Sequence, residues 1–213
     1  MGGVITSGQN SKLKLARVLL GRARERREVG AFVAEGVRLV EEAVHANWSF
    51  KFVLYSDELS ERGERLRKKI EEREIEIEKV ESGLLQSLSE TETSQGILAV
   101  LELAQLPIPD LLNFILIPDQ IRDPGNLGTL IRSAAAAGVQ AVLIPPETTD
   151  AFAPKVIRAG MGAHFRLPIR SMTWEEIQRV GESTRQRGSE SMSIWRTWTE
   201  SRAGRPICER RWL

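Results

Sequence analysis

The chain has 213 residues, of which 41% are hydrophobic, and this is enough for the cores of two small globular domains. Its formal net charge of +1 excludes a uniformly basic nucleic-acid-binding protein, so any nucleic-acid contact must come from local patches of charge. The single cysteine, Cys208, excludes an internal disulfide and a multi-cysteine zinc site. No stretch has the apolar character of a membrane span or signal peptide, so we expect a cytoplasmic protein with no membrane partner.

The first half of the chain alternates helical and strand patterns, which predicts a small α/β domain. Apolar residues at helical spacing predict a first helix over Ser11–Arg27. The elements predicted after it are a strand at Ala31–Ala34, a helix at Val37–Ala46, a strand at Phe50–Tyr55, a charged helix at Leu59–Arg73, a strand at Ile75–Val80, a short helix at Gly83–Leu88 and a strand at Gly96–Leu103.

The first predicted helix is strongly basic. Its cations make it a candidate surface for RNA phosphates, and a merely solvated basic face is the alternative. The candidate phosphate contacts are Lys12, Lys14, Arg22, Arg26 and Arg27.

A linker and a second α/β pattern follow. Ala104–Asp110 holds two prolines and no periodicity, as linkers do, and it separates a domain at 1–105 from one at 106–213. The elements predicted in the second domain are strands at Phe114–Ile117, Val139–Ile144 and His164–Ile169 and helices at Asn126–Ala137 and Ala153–Gly160. Continuous apolar strands alternating with helices predict a doubly wound parallel sheet with right-handed crossovers.

The segment Asp123–Gly138 joins the first of these strands to its helix. Asn126 is the predicted N-cap, and small residues keep the helix thin, except for the long cation Arg132. Arg132 is less than two turns from the helix start, so it and Asn126 could both face the carboxyl edge of the sheet. A capped alanine-rich helix with a surface arginine is the alternative. The dinucleotide pattern Gly-x-Gly-x-x-Gly is absent.

The segment Ala153–Pro168 carries the second group of candidates. Lys155 and Arg158 share one helical face, and Gly160-Met161-Gly162 predicts a turn where backbone amides can approach a ligand closely. An ordinary helix C-cap is the alternative. His45 and His164 are predicted to be structural or surface residues, with a catalytic role for His164, which lies beside this segment, as the alternative.

Taken together, the two segments resemble motifs 1 and 2 of the SpoU family of RNA ribose 2′-O-methyltransferases, also called TrmH-like. The residues that match are Asn126, Gly128, Arg132, Ala134 and Gly138 in the first motif and Lys155, Arg158, Gly160, Met161, Gly162 and Ala163 in the second. Ile5–Asn10, Phe32–Leu39 and Thr93–Val100 resemble the family's substrate-binding domain. The resemblance covers roughly residues 5 to 170.

The resemblance implies an L30e-like α/β domain followed by a SPOUT-type parallel-sheet domain, whose trefoil knot binds S-adenosyl-L-methionine. It also implies a homodimer that acts on RNA, with ribosomal rather than transfer RNA as substrate. In the site it implies catalytic roles for Arg132 and Asn126, cofactor contacts from Gly160, Met161 and Gly162, and RNA contacts from Lys155 and Arg158. Because arginine is a poor general base, we predict that Arg132 holds a phosphate rather than accepting a proton.

The resemblance fails from about Glu182. The family's third motif, a Gly-x-Glu-x-x-Gly turn followed by a strand and a Ser-Leu-Asn helix, is missing, and the tail is rich in Trp and Arg with no apolar period. A frameshifted tail is one explanation, and Trp and Arg side chains that stack on RNA bases are another. We therefore predict an incomplete knot. The alternatives are an RNA methyltransferase, a non-catalytic RNA-binding remnant with impaired cofactor binding, and a nonfunctional product.

Overall fold

The structure is a computed structural model that describes residues 3–89, 94–104, 106–186 and 193–198. Contacts divide the chain into two units, Met1–Ala104 with Phe152–Pro154, and Gln105–Ala151 with Lys155–Leu213. Among the described residues, no helix combines the length and apolar character that crossing a membrane requires.

The first unit is a four-stranded mixed sheet with helices, as the alternating pattern predicted. Its elements are α1 (Ser11–Gly21), α2 (Ala23–Val29), β1 (Ala31–Glu35), α3 (Val37–His45), β2 (Phe50–Tyr55), α4 (Glu61–Glu72), β3 (Ile77–Lys79), α5 (Ser82–Gln86) and β4 (Ile97–Glu102). The strand order is β1-β4-β2-β3. β4 pairs antiparallel with both neighbours, and β2 pairs parallel with β3. Leu13, Ala16 and Leu19 bury one face of α1 in the core of this unit.

The single helix predicted over Ser11–Arg27 is wrong, because the chain breaks at Arg22, which has an extended backbone. Arg26 bridges the break: its guanidinium donates to the carbonyl of Leu19 over 2.6 Å. This bond satisfies a carbonyl that the end of α1 leaves without a helical partner. Only 4% of Arg26 is exposed. The prediction that Arg26 contacts an RNA phosphate is therefore wrong, because its charge is buried in the corner between the helices.

The second unit is a parallel sheet flanked by helices, which confirms the predicted fold class. Its elements are β5 (Phe114–Asp119), α6 (Pro124–Ala136), β6 (Ala141–Ile144), α7 (Pro154–Gly160), β7 (Ile169–Ser171), α8 (Trp174–Gln186) and β8 (Ser193–Trp198). The pairings of β5 with β6, of β5 with β8 and of β6 with β7 are parallel. Each residue of β6 is buried, as expected for a strand covered on both faces.

Two sequence predictions fail in this unit. The strand expected at His164–Ile169 is a short 3-10 helix at Ala163–Phe165 followed by β7. The tail, expected to hold no regular element, contains β8, which pairs with the full length of β5 from Phe114 opposite Ser193 to Asp119 opposite Trp198. Backbone pairing needs no apolar period, and the segment is rich in Ile, Trp and Thr, which favour strands. The predicted incomplete knot concerns the chain from about Glu182 onward, of which residues 187–192 and 199–213 lie outside the described residues, so it stays a prediction.

The strand order places a ligand crevice in the second unit. The order is β7-β6-β5-β8, so the chain moves from β5 to β6 and β7 on one side and returns to β8 on the other. In parallel α/β sheets, ligands bind outside the carboxyl ends of the strands at such a reversal. A ligand site is therefore expected at the carboxyl ends of β5 and β8, at Asp119 and Trp198.

Candidate active site

Two loops at the carboxyl edge of the sheet hold strained backbone. Gln120 directly follows β5 with φ 53°, and Glu147 lies just beyond β6 with φ 67°. A left-handed backbone at a residue other than glycine costs about 1–3 kcal/mol and persists only where surrounding structure enforces it. Here the loops hold one another: the Thr148 hydroxyl donates to the Pro118 carbonyl over 2.7 Å, and the Thr149 amide donates to the Ile121 carbonyl over 2.9 Å. Rigid, strained loops at this edge are typical of functional sites.

The helix that leaves this edge is capped by Asp123, so the prediction that Asn126 is the cap is wrong. Oδ1 of Asp123 accepts from the backbone amide of Asn126 over 2.8 Å, and Pro124 occupies the first helical position. The helix thus begins two residues earlier than predicted. Asn126 lies in its first turn, where its exposed side chain forms no hydrogen bond with any residue the structure describes. The Asn126 amide is available to a ligand.

Arg132 is exposed on the same helix. Its guanidinium forms no hydrogen bond or ion pair within the described part of the chain, so no carboxylate there neutralises it. Helix geometry puts Arg132 about 120° around the axis and roughly 9 Å along it from Asn126. Thr129 and Ser133, both small and exposed, occupy the face between them. The helix therefore presents a donor amide and a cation on either side of a shallow polar face.

Gly128 brings the two predicted motifs into backbone contact. It lies on the buried face of α6, and a Cβ added there would meet the Val156 carbonyl oxygen at 2.5 Å and the Ala159 Cβ at 2.5 Å. α7 therefore packs directly on the glycine. The close approach brings the segments Asp123–Gly138 and Ala153–Pro168 together although they are separated in the sequence.

The two cations of α7 have different surroundings. Lys155 is exposed, and its ammonium lies 4.0 Å from Oδ2 of Asp123, so it reaches the start of α6. Arg158 is half-buried and already engaged in polar interactions. Lys155 is therefore the more accessible of the two predicted RNA contacts.

The turn after α7 forms where the sequence placed it. The helix ends at Gly160, and Met161 and Gly162 have positive φ values of 49° and 86°. Gly162 adopts this conformation easily, whereas Met161 is held in it. The Met161 side chain is 48% exposed, which leaves an unusual apolar group at the surface. The turn thus offers an exposed thioether beside a tightly curved backbone.

His164 is buried beneath this turn, a placement that its sequence context did not reveal. Only 1% of the residue is exposed, and Nε2 lies 2.8 Å from the Ala151 carbonyl oxygen. A carbonyl oxygen only accepts, so Nε2 carries the proton. Burial lowers the pKa of His164 to about 4, which keeps the imidazole neutral at physiological pH.

We expect acid to destabilise the fold through His164. The pKa of its imidazole is about 4 when folded and about 6.5 when unfolded, so only the unfolded chain takes up a proton between these values. The free energy of unfolding therefore keeps its full value above about pH 6.5. It decreases as the pH falls towards 4, by about 3 kcal/mol in total. Asp150 opposes the shift but is the weaker influence. Urea titrations between pH 7 and 5 should show a steeper loss for the wild type than for His164→Gln, and equal slopes would contradict the prediction.

Comparison with known proteins identifies the family. Residues 113–202 match the SpoU rRNA Methylase family, and residues 10–99 match the MRM3-like substrate binding domain. The fold is similar to that of an AdoMet-bound rRNA methyltransferase from Sinorhizobium meliloti, with a TM-score of 0.73 and 30% identity over 85% of this chain and 69% of that one. The chain belongs to the SpoU methylase family. The match extends past Glu182, beyond the residues 5 to 170 that carry the motif resemblance.

Curated relatives of this SpoU protein act on ribosomal RNA. The 23S rRNA (guanosine(2553)-2'-O)-methyltransferase RlmP of Bacillus subtilis is 36% identical over 165 residues, 78% of this chain and 63% of that protein. The human mitochondrial rRNA methyltransferase 3 is 36% identical over 163 residues, 71% of this chain and 38% of that protein. The chain thus spans less than two thirds of the length of these relatives.

Proposed function

We propose that this chain acts in S-adenosylmethionine-dependent methylation of a ribose 2′-OH in structured RNA, with ribosomal RNA as the substrate. The observation that carries the proposal is the exposed pair Asn126 and Arg132 on the helix that leaves the carboxyl edge of a parallel sheet. The rRNA methyltransferases among its relatives support the same activity. Residues 1–105 would bind the RNA, and residues 106–213 would carry the methyltransferase site.

The reaction needs a ribose hydroxyl held in line with a methyl group. S-adenosylmethionine supplies that methyl group, activated on a sulfonium. The Arg132 guanidinium serves as a clamp: its two parallel N–H groups fit the phosphate next to the target ribose. The Asn126 amide, across the polar face of α6, can orient the hydroxyl by hydrogen bonding. The hydroxyl proton leaves to that phosphate or to water, and the gain in rate comes from positioning.

The proposed cofactor contacts lie in the turn that follows α7. Gly160, Met161 and Gly162 form a tight turn, and the exposed Met161 thioether suits the apolar face of an adenine ring. Curved backbone of this kind can offer amides to the polar groups of the cofactor. We propose that this turn forms one side of the cofactor site. The residues of a third motif, which would complete it, are absent from this sequence.

The RNA-binding surface would lie on α1 and α2. The stretch from Ser11 to Val29 holds seven basic residues and two acidic ones, a local excess in a chain of net charge +1. Lys14, Arg22 and Arg27 are exposed and form no ion pair with any described residue. Lys12 differs, because its ammonium lies 2.5 Å from both Glu76 and Glu78. We therefore propose Lys14, Arg22 and Arg27 as the main phosphate contacts, with Lys12 a weaker one.

Neutralising the exposed cations should weaken RNA binding and its salt dependence. The triple variant Lys14→Gln/Arg22→Gln/Arg27→Gln is expected to reduce the slope of log affinity against log salt by about 0.7–0.9 for each lost phosphate contact. Arg24→Gln is the matched control, because Arg24 is exposed on α2 but its Nε lies 2.6 Å from Glu28. Filter binding of an rRNA fragment over a salt series measures the slope. An unchanged slope in the triple variant would remove these residues from the interface.

A non-catalytic RNA-binding protein is the second candidate. It is favoured by the stretch from about Glu182, which does not show the third motif that the family resemblance leads us to expect there. We also propose that the protein is cytoplasmic and forms a homodimer, and both proposals rest on the family resemblance. Light scattering after size exclusion tests the homodimer.

Transfer of labelled methyl groups from S-adenosylmethionine to ribosomal RNA tests the function directly. Incorporation that protects one ribose from alkaline hydrolysis, and that disappears in Arg132→Ala, supports the methyltransferase. RNA binding without methylation, combined with no calorimetric signal for S-adenosylmethionine, supports the non-catalytic candidate. Failure to bind either ligand would contradict both.

A further inference from the structure

We propose that His164 is a positioning residue that wedges the Gly160–Gly162 turn against α6. The role rests on the proposed function, because the turn and α6 carry the two halves of the proposed site. No residue of the wedge is itself proposed to touch a reacting atom. Its task is to keep Met161 and the face bearing Asn126 and Arg132 in one fixed arrangement.

The imidazole ring is held on two sides. On one side, Nε2 donates to the Ala151 carbonyl over 2.8 Å, and Ala151 is buried in the segment that follows the strained loop after β6. On the other side the ring rests on Gly160, where an added Cβ would come within 2.5 Å of Cε1 and 2.6 Å of Nδ1. The ring therefore fixes the distance between the Ala151 segment and the first residue of the turn.

Gly160 is also contacted from the side of α6. A Cβ on Gly128 would lie 3.1 Å from the Gly160 amide nitrogen and 2.5 Å from the Val156 carbonyl oxygen. α6, the end of α7 and the imidazole are thus stacked without space for one additional methyl group at either glycine. Since close-packed groups transmit displacement, a shift of the ring moves the turn relative to α6.

The chemistry of the ring argues against simple space filling. Burying an imidazole is costly, as the lowered pKa of His164 shows, whereas an apolar side chain would fill the space without that penalty. Unlike an apolar side chain, the imidazole donates a directed hydrogen bond to the Ala151 carbonyl oxygen. Without it, this buried oxygen would lose that hydrogen bond. A flat ring also fits directly over a glycine Cα, which a tetrahedral side chain does not.

Hydrogen exchange of the ligand-free chain tests the wedge without requiring activity. In His164→Leu, which fills space but cannot donate, the amides of Met161 and Gly162 should exchange at least about tenfold faster than in the wild type. His164→Asn, which retains a donor, should recover part of the protection. Ile157→Val is the stability control, since Ile157 is buried on α7 and loses one methyl group. Unchanged exchange in His164→Leu, or equal acceleration in Ile157→Val, would overturn the proposal.

A paired substitution provides a second test. Gly160→Ala places a methyl group inside the volume of the imidazole and should accelerate exchange throughout the turn. His164→Ala vacates that volume, so Gly160→Ala/His164→Ala should be more stable than the sum of the single effects predicts. Additive effects would contradict direct packing of the ring on the glycine.

Ligand binding then links the wedge to function. His164→Leu should weaken S-adenosylmethionine binding about tenfold while leaving rRNA binding by the first unit unchanged. If the wild type binds no S-adenosylmethionine, the proposed function fails while the exchange results still decide whether the wedge exists. If the wild type binds and His164→Leu binds equally well, the positioning role is wrong and the proposed function stands.

Discussion

Replacing Arg132 by lysine is expected to lower the rate of RNA methylation on the order of 100-fold, the scale of loss that follows misplacement of a reacting group. Lysine retains the positive charge but has no planar pair of N–H groups with which to orient a phosphate. The side chain is exposed and forms no bond within the described residues, so the unfolding midpoint should remain that of the wild type. The kcat for an rRNA fragment and the thermal unfolding curve together measure the two effects.

Two further variants make this result specific. Arg132→Ala removes the charge as well as the planar pair of N–H groups. Similar losses of methylation rate in the lysine and alanine variants would therefore show that the pair of N–H groups, and not the charge, is required. Arg179→Lys on α8 is the matched control, an exposed arginine on a helix of the same unit outside the proposed site. Near-normal turnover of Arg132→Lys would show that charge alone suffices and would remove the clamp from the mechanism.

The parallel sheet was predictable because its strands bear a local signal. Runs such as Phe114–Ile117 are continuously apolar, and the structure buries Ile115, Leu116 and Ile117 of this run. The turn at Gly160–Gly162 was equally predictable from the sequence, since glycines commonly end helices and here two of them are separated by a single residue. These features depend on residues close together in the chain.

The errors arise where one local signal competes with another or where a distant partner decides. Asp123 and Asn126 are both good caps, and Pro124 decides between them because proline favours the first helical position. Arg26 lies in a basic helical stretch, and only the break at Arg22 turns its guanidinium inward. β8 depends on its pairing with β5, about 80 residues earlier, which no periodicity within the tail could reveal.

His164 shows the same limit at the site. Its sequence context is that of any histidine beside a glycine turn, and its role depends on Ala151 and Gly160 meeting the two sides of one ring. The lowered pKa follows from burial, a property of the folded chain. Residues that touch ligands can be inferred from their chemistry, whereas residues that position them become visible only in the packed structure.

Gly128→Ala is expected to be the most damaging single methyl addition to the second unit. Alanine is favoured over glycine in a helix by about 1 kcal/mol, so a solvent-facing position would gain stability. At Gly128 the new methyl group would lie 2.5 Å from both the Val156 carbonyl oxygen and the Ala159 Cβ. Overpacking costs about 1–3 kcal/mol, and a backbone obstacle favours the upper end of that range, so after the helical gain the net effect should be a loss of about 2 kcal/mol.

The two contacts of that methyl group can be separated experimentally. Ala159→Gly removes the obstructing Cβ but leaves the Val156 carbonyl, so Gly128→Ala/Ala159→Gly should remain destabilised in urea unfolding. Gly83→Ala on α5 is the control, because an added Cβ there meets nothing within 4 Å and should leave stability unchanged or raised. If the double variant recovers wild-type stability, the only obstacle to the new methyl group is the Ala159 side chain. The backbone of α7 would then not be in contact with Gly128. In that case the Gly160–Gly162 turn would not be held at a fixed distance from Asn126 and Arg132.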